Sequence, residues 1–189
     1  MSAPELDFDT PAAQREVRLR TLAWVERVVV GLDLCPFARG PVEAGRLRIA
    51  VCASRDPLEL LAALDDELAA LLDTPASERE TSLLVHPRCL LDFEDYNDFL
   101  AEADGLIAAR ELEGVVQIAS FHPDYRFADA PADDPANYSN RSPFPMLHLL
   151  REDSISRAVD GHVDIEGIPA RNVSLLRGLS AAALAALLD

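Results

Sequence analysis

Ser82-Leu83-Leu84-Val85-His86-Pro87 is the segment to read first. Three large apolar residues follow one another without alternation, which suits a strand buried on both faces. The proline stops the strand, because it has no N–H for the ladder. A strand covered on both sides needs helices above and below its sheet. The flanking sequence supplies them. Asp56-Pro57 starts a helix whose apolar stripe is Leu58, Leu61, Leu64, Leu68 and Leu71. Asp92 caps another, with Phe93, Tyr96, Leu100, Ala103 and Ile107 in line. Beyond these helices lie two further strands. Arg46–Cys52 alternates, with Leu47, Ile49 and Val51 on one face and Arg46 and Arg48 on the other, as an edge strand does. Gly114–Phe121 is the third.

Toward the N-terminus, Thr10-Pro11 opens a helix that runs to about Gly31, with Leu22, Val25, Val29 and Leu32 at helical spacing. Toward the C-terminus, a helix is expected from about Pro145 to Val159, and one or two more before Asp189. Val163 and Ile165 offer a short fourth strand. Strands joined by helices are usually parallel, with right-handed crossovers. The expectation is therefore a single α/β domain over residues 1–189. Its sheet is small and mostly parallel, with three or four strands. A ferredoxin-like α+β sandwich is the alternative. Residues 1–10 are expected to be flexible, 122–145 to form a long ordered loop, and 179–189 to form a C-terminal helix.

The chain has 189 residues, of which 33 are acidic and 17 basic, for a formal charge of −16. All the bases are arginine. Without lysine there is no Schiff-base, pyridoxal-phosphate or P-loop lysine chemistry. The acidity opposes general nucleic-acid binding, which needs a basic footprint. The longest apolar run, Ala181–Leu188, is far short of a membrane span, and Met1–Thr10 does not read as a signal peptide. Cys35, Cys52 and Cys89 are odd in number and have no CxxC spacing. The expected setting is a reducing cytoplasm, with no membrane or nucleic-acid partner.

In a parallel sheet, ligands bind at the carboxyl ends of the strands. His86-Pro87 and His122-Pro123 both stand at such ends, so both imidazoles are expected on one rim. The plainer reading is that His-Pro simply ends a strand while the ring bonds a neighbouring loop. The His122–Pro145 loop is long for a structureless segment, and such loops are usually functional. Counting from Phe121, it carries five of the chain's eleven aromatic residues: Phe121, Tyr125, Phe127, Tyr138 and Phe144. Within it, Asn137, Tyr138, Asn140 and Arg141 suit recognition of a carboxylate or phosphate, and Tyr125 adds a ring. The plainer reading is a packed cover over the sheet. If Met146–Glu152 is helical, His148 lies one turn from Glu152 and Arg151 and can serve as a third imidazole. Cys35, flanked by apolar residues at a helix exit, reads as a buried structural thiol. The acidic run Asp92–Asp98 lacks the glycine of a calcium loop and reads as a solvated helix start.

Three passages carry a family resemblance. They are Gly31-Leu32-Asp33-Leu34-Cys35-Pro36-Phe37-Ala38, Ala119–Phe127 around Ser120-Phe121-His122-Pro123-Asp124-Tyr125, and Asn137–Glu152 around Tyr138-Ser139-Asn140-Arg141-Ser142-Pro143. Together with Leu84-Val85-His86-Pro87 and Asp95-Tyr96-Asn97-Asp98-Phe99, they resemble the bacterial family catalogued as domain of unknown function number fourteen-fifteen. The resemblance implies a soluble, stand-alone bacterial protein and supplies no activity.

The residues themselves point to an enzyme or binder acting on a small anionic molecule, with a hydrolase or transferase as the expected enzyme class. His122 is the expected general acid/base, with His86 as its partner. His148 is a further candidate, and Arg141, with Asn137 and Asn140, is the anion clamp. The first alternative is a metal protein holding zinc or another divalent transition metal on His86, His122, His148 and Cys35. The second is a non-catalytic interaction module.

Overall fold

The computed structural model describes residues 8–160 and 165–188. Four strands form one sheet: β1 (Leu47–Val51), β2 (Thr81–Val85), β3 (Val116–Phe121) and β4 (Met146–Arg151), in the order β1-β2-β4-β3. β1 and β2 are parallel, and β4 runs antiparallel to both β2 and β3. The class is α/β as expected, but the sheet is not mostly parallel. The cause is β4. Met146–Arg151, read as the start of a helix, is extended and fills the gap between β2 and β3. The helix α5 begins only at Glu152 and runs to Asp160. The fourth strand is therefore not the one expected around Val163, which lies outside the described residues, while Ile165 is a bend.

β1, β2 and β3 still point the same way, because β4 is antiparallel to its two neighbours. Their carboxyl ends share one rim, and the chain re-enters β4 from that rim. Helices cover both faces, unlike a sandwich with its helices segregated to one side. On one face lie α3 (Pro57–Asp73) and α4 (Phe93–Ala109). Asp56 and Asp92 cap them, accepting from the amides of Leu58 (2.9 Å) and Glu94 (2.8 Å). The buried stripe of α3 is Leu60, Leu64, Leu68 and Leu71, each at most 1% exposed, while Leu58 points outward. Burial of each such leucine stabilises by about 1.5–3 kcal/mol. Glu67 of α3 holds Arg48 of the edge strand through a bidentate pair at 2.9–3.0 Å.

The other face carries α1 (Pro11–Trp24), capped by Thr10, whose hydroxyl accepts from the Ala13 amide. The helix expected to reach Gly31 is α-helical to Trp24 and continues as a π-helical segment over Val25–Val30. The widened turn brings the Arg27 carbonyl oxygen within 2.2 Å of where a Cβ on Gly31 would stand. The short helix α2 (Arg39–Glu43) follows. α6 (Gly167–Arg177) and α7 (Ala181–Ala185) close this side, Leu176 and Leu184 being buried with α1. Of the N-terminal stretch 1–10, residues 8–10 are described, and Asp9 pairs with Arg88. Among the described residues, no helix is long and apolar enough to cross a membrane.

Candidate functional site

The shared rim brings His86 and His122 to the α3/α4 face, both fully buried. Tyr96 of α4 stands between them, its ring centroid 5.7 Å from His86 and 5.1 Å from His122. Its hydroxyl donates to Met146 O (2.9 Å) and accepts from the Phe121 amide (3.0 Å). It thereby links the end of β3 to the start of β4. Read from sequence, Tyr96 is only a member of an apolar stripe.

Both histidines are tied to backbone. His122 Nδ1 accepts from the Asp124 amide (3.0 Å), so Nε2 carries the proton and donates to Leu90 O (3.2 Å). His86 Nδ1 donates to Cys89 O (2.9 Å), and its Nε2 is buried with no hydrogen-bond partner among the described residues. Burial pushes both rings toward the neutral form, His86 down to about 4. Together they hold the 87–91 loop, in which Leu90 has a φ of 54°. Burial also raises the Cys89 thiol, to about 11.

His148 does not join them. It sits in mid-β4 on the opposite face, where the strand register lays out a floor. One row across β2, β4 and β3 is Thr81, Leu150 and Gln117, and the next is Leu83, His148 and Ala119. The small Ala119 beside His148 leaves space. Above this floor is a cavity of about 350 Å³. Its walls come from Trp24, Val25 and Val29 of the first helix, Phe37 and Val42 near α2, and Ile155 of α5. The lining is largely apolar, and His148 is its only histidine among the described residues. Thr81 Oγ1 donates to Leu149 O (2.6 Å), so it accepts from His148 Nε2 (2.7 Å). That fixes the tautomer and leaves Nδ1 as an acceptor with no partner among the described residues. Burial pushes His148 down to about 4, so the ring is neutral. Of the charged residues in the lining, Glu80 pairs with Arg46 (3.1 Å), and Arg151 reaches the carbonyls of Leu71 and Thr74 through Nη2.

Cys35 stands in the wall of this cavity and of a second one of about 600 Å³. Burial raises its thiol pKa, against the amides of Phe37 and Ala38, which favour the thiolate. The second cavity lies between α6 and the 122–145 loop. Within that loop, Pro135–Ser139 forms a 3₁₀ turn. Asn137 is fully buried and holds the loop together, accepting from the Phe127 amide (3.1 Å) and donating to Pro131 O (2.8 Å). Arg141 donates to Tyr125 O (3.2 Å) and Ala132 O (2.8 Å) and lies 4.6 Å over the Tyr138 ring. The Tyr125 ring packs on Phe93 at 5.2 Å and on Phe127 at 5.1 Å. Of the expected anion-binding set, Asn140 lines the second cavity. Among the described residues, no three His, Cys, Asp or Glu side chains converge as a metal site would require.

No curated protein and no solved structure matches the chain. A family model described as "Protein of unknown function (DUF1415)" matches residues 16–186. That match spans nearly the whole chain and includes the rim, the loop and both cavities, so the chain belongs to this family.

Proposed function

We propose that the protein binds a small, mainly apolar molecule that offers one hydrogen-bond donor to His148. The support is one arrangement: an apolar cavity of about 350 Å³ with a single neutral imidazole in its floor, its acceptor nitrogen unengaged. Cavities of roughly 300–1,000 Å³ with few, well-placed polar groups are the usual form of small-molecule sites. The single tryptophan of the chain, Trp24, lines the cavity and supplies a probe. His86 and His122 stay outside this reading, since a proton carrier must reach its substrate and both rings are buried.

The test is titration with N-phenyl-1-naphthylamine, a neutral aromatic amine, followed by energy transfer from Trp24. Saturable one-to-one binding is expected. Ala119→Leu fills the cavity and abolishes binding. His148→Phe removes one hydrogen bond of about 1 kcal/mol and weakens binding roughly three- to tenfold. Absence of saturable binding, or undiminished binding by folded Ala119→Leu, sinks the proposal.

A second reading keeps the small anion, at Arg141. The observation favouring it is that carbonyls and the Tyr138 ring hold this guanidinium, with no ion pair to it among the described residues. Thermal stabilisation by phosphate or citrate that Arg141→Gln loses would support it, and stabilisation that persists in the variant would refute it.

A further inference from the structure

The two cavities have a common wall. Val29, Cys35 and Phe121 line both, and all three are only half-buried. One cavity is apolar, while the other mixes apolar and polar walls, so a molecule passing the wall meets two environments in sequence.

The polar side has a definite character. Its polar side chains are partly tied up in hydrogen bonds within the protein. Arg177 gives Nε and Nη2 to Asp134 at 3.1 and 2.6 Å, and this guanidinium holds the Asp134 carboxyl down at about 2. Asn140 Nδ2 donates to Ser120 O (3.1 Å), and Asn172 Nδ2 donates to Leu34 O (2.6 Å). Asn140 Oδ1 accepts from Ser139 Oγ (3.1 Å). Asp129 lines the cavity, is exposed, and forms no ion pair among the described residues. With the Arg177–Asp134 pair neutral as a unit, Asp129 leaves this cavity with net negative charge.

We infer that the natural ligand is an elongated amphiphile whose mainly apolar end, carrying the one donor that meets His148, occupies the His148 cavity and whose ammonium head lies beside Asp129. This rests on the proposed apolar binding and adds the head group and its seat. A carboxylate or phosphate head would meet the Asp129 carboxylate, with the Arg177 charge already balanced by Asp134. An ammonium group brings three donors and a positive charge to the Asp129 carboxylate.

The experiment is displacement of bound N-phenyl-1-naphthylamine by decylamine, decan-1-ol and decanoate at neutral pH. Decylamine is expected to displace it at the lowest concentration. Asp129→Asn lowers the amine-to-alcohol affinity ratio about two- to fivefold, the range for one solvent-exposed ion pair. Asp104→Asn, an exposed acid on α4, leaves the ratio unchanged. Decylamine also slows alkylation of Cys35 by iodoacetamide, because its chain passes that thiol. An amine that binds no better than the alcohol, a ratio that survives Asp129→Asn, or unaltered Cys35 alkylation overturns the inference. Any of these with the naphthylamine still bound leaves the apolar-binding proposal standing. Failure of the naphthylamine itself defeats that proposal and the inference with it.

Discussion

Replacing Tyr96 by phenylalanine removes one oxygen atom from the protein interior. That oxygen serves two backbone groups, the Phe121 amide at 3.0 Å and the Met146 carbonyl at 2.9 Å. Tyr96 is fully buried, so water does not replace the lost partner without local opening. Ring packing against His86, Phe93 and His122 survives the change. Only the hydrogen bonds are lost. Each group left unsatisfied costs about 1–3 kcal/mol, so the variant should lose about 2–4 kcal/mol, with some relief from local relaxation. Urea unfolding followed by circular dichroism measures the loss, with the slope m compared to confirm that the same surface is exposed. At roughly 2–4 °C per kcal/mol for a chain of this size, the melting temperature falls clearly as well. Hydrogen exchange at the Phe121 amide should accelerate more than at Ile118, in the middle of the same strand. A stability change under about 0.5 kcal/mol, the size of an ordinary surface substitution, would refute the linking role given to this hydroxyl.

Other outcomes follow from the same geometry. His86 titrates near 4 when folded and near 6.5 when unfolded, so it contributes no pH dependence above about 7. Below about pH 6.5 the unfolded chain takes up the proton first. Stability then falls by up to about 1.4 kcal/mol per pH unit from this group until pH 4, and a His86→Gln variant that stays folded should show a shallower acid limb. His148 stays neutral to about pH 4, so naphthylamine affinity should be flat between pH 8 and 5; a steep loss near pH 6.5 would contradict the neutral acceptor assigned to it. Gly31→Ala drives a methyl into the Arg27 carbonyl, and denaturant melts should show a loss of about 1–3 kcal/mol. Peptide mapping after brief iodoacetamide treatment of the native protein should find Cys35 modified before Cys52 and Cys89, which are 9% and 1% exposed.

The features legible in the sequence are those set by short-range chemistry. Asp56, Asp92 and Thr10 announce helix starts because capping involves neighbours two or three residues away. Leu83-Leu84-Val85 reads as a doubly covered strand because both faces must be apolar. Met146-Leu147-His148-Leu149-Leu150 has the same blocky apolarity, yet periodicity does not separate a buried strand from a buried helix. Its extended state comes from the space between β2 and β3, a property of distant segments. The cavity is hidden for a related reason. It depends on Ala119 lying beside His148 across a strand pair, which no local spacing encodes. Tyr96 is hidden because a helical apolar stripe gives no sign of where its hydroxyl points.

The placement of β4 also bears on the birth of the molecule. Leu150 pairs with Thr81, and its neighbour Leu149 with Ile118, so the last strand made joins two pieces already synthesised. Until it leaves the ribosome, β1 with β2 forms one fragment and β3 has no partner at all. At about 5–20 residues per second, that interval lasts several seconds, with the backbone edges of β2 and β3 unpaired. A nascent chain stalled before Met146 should therefore engage chaperones, and release should coincide with the emergence of a single six-residue segment.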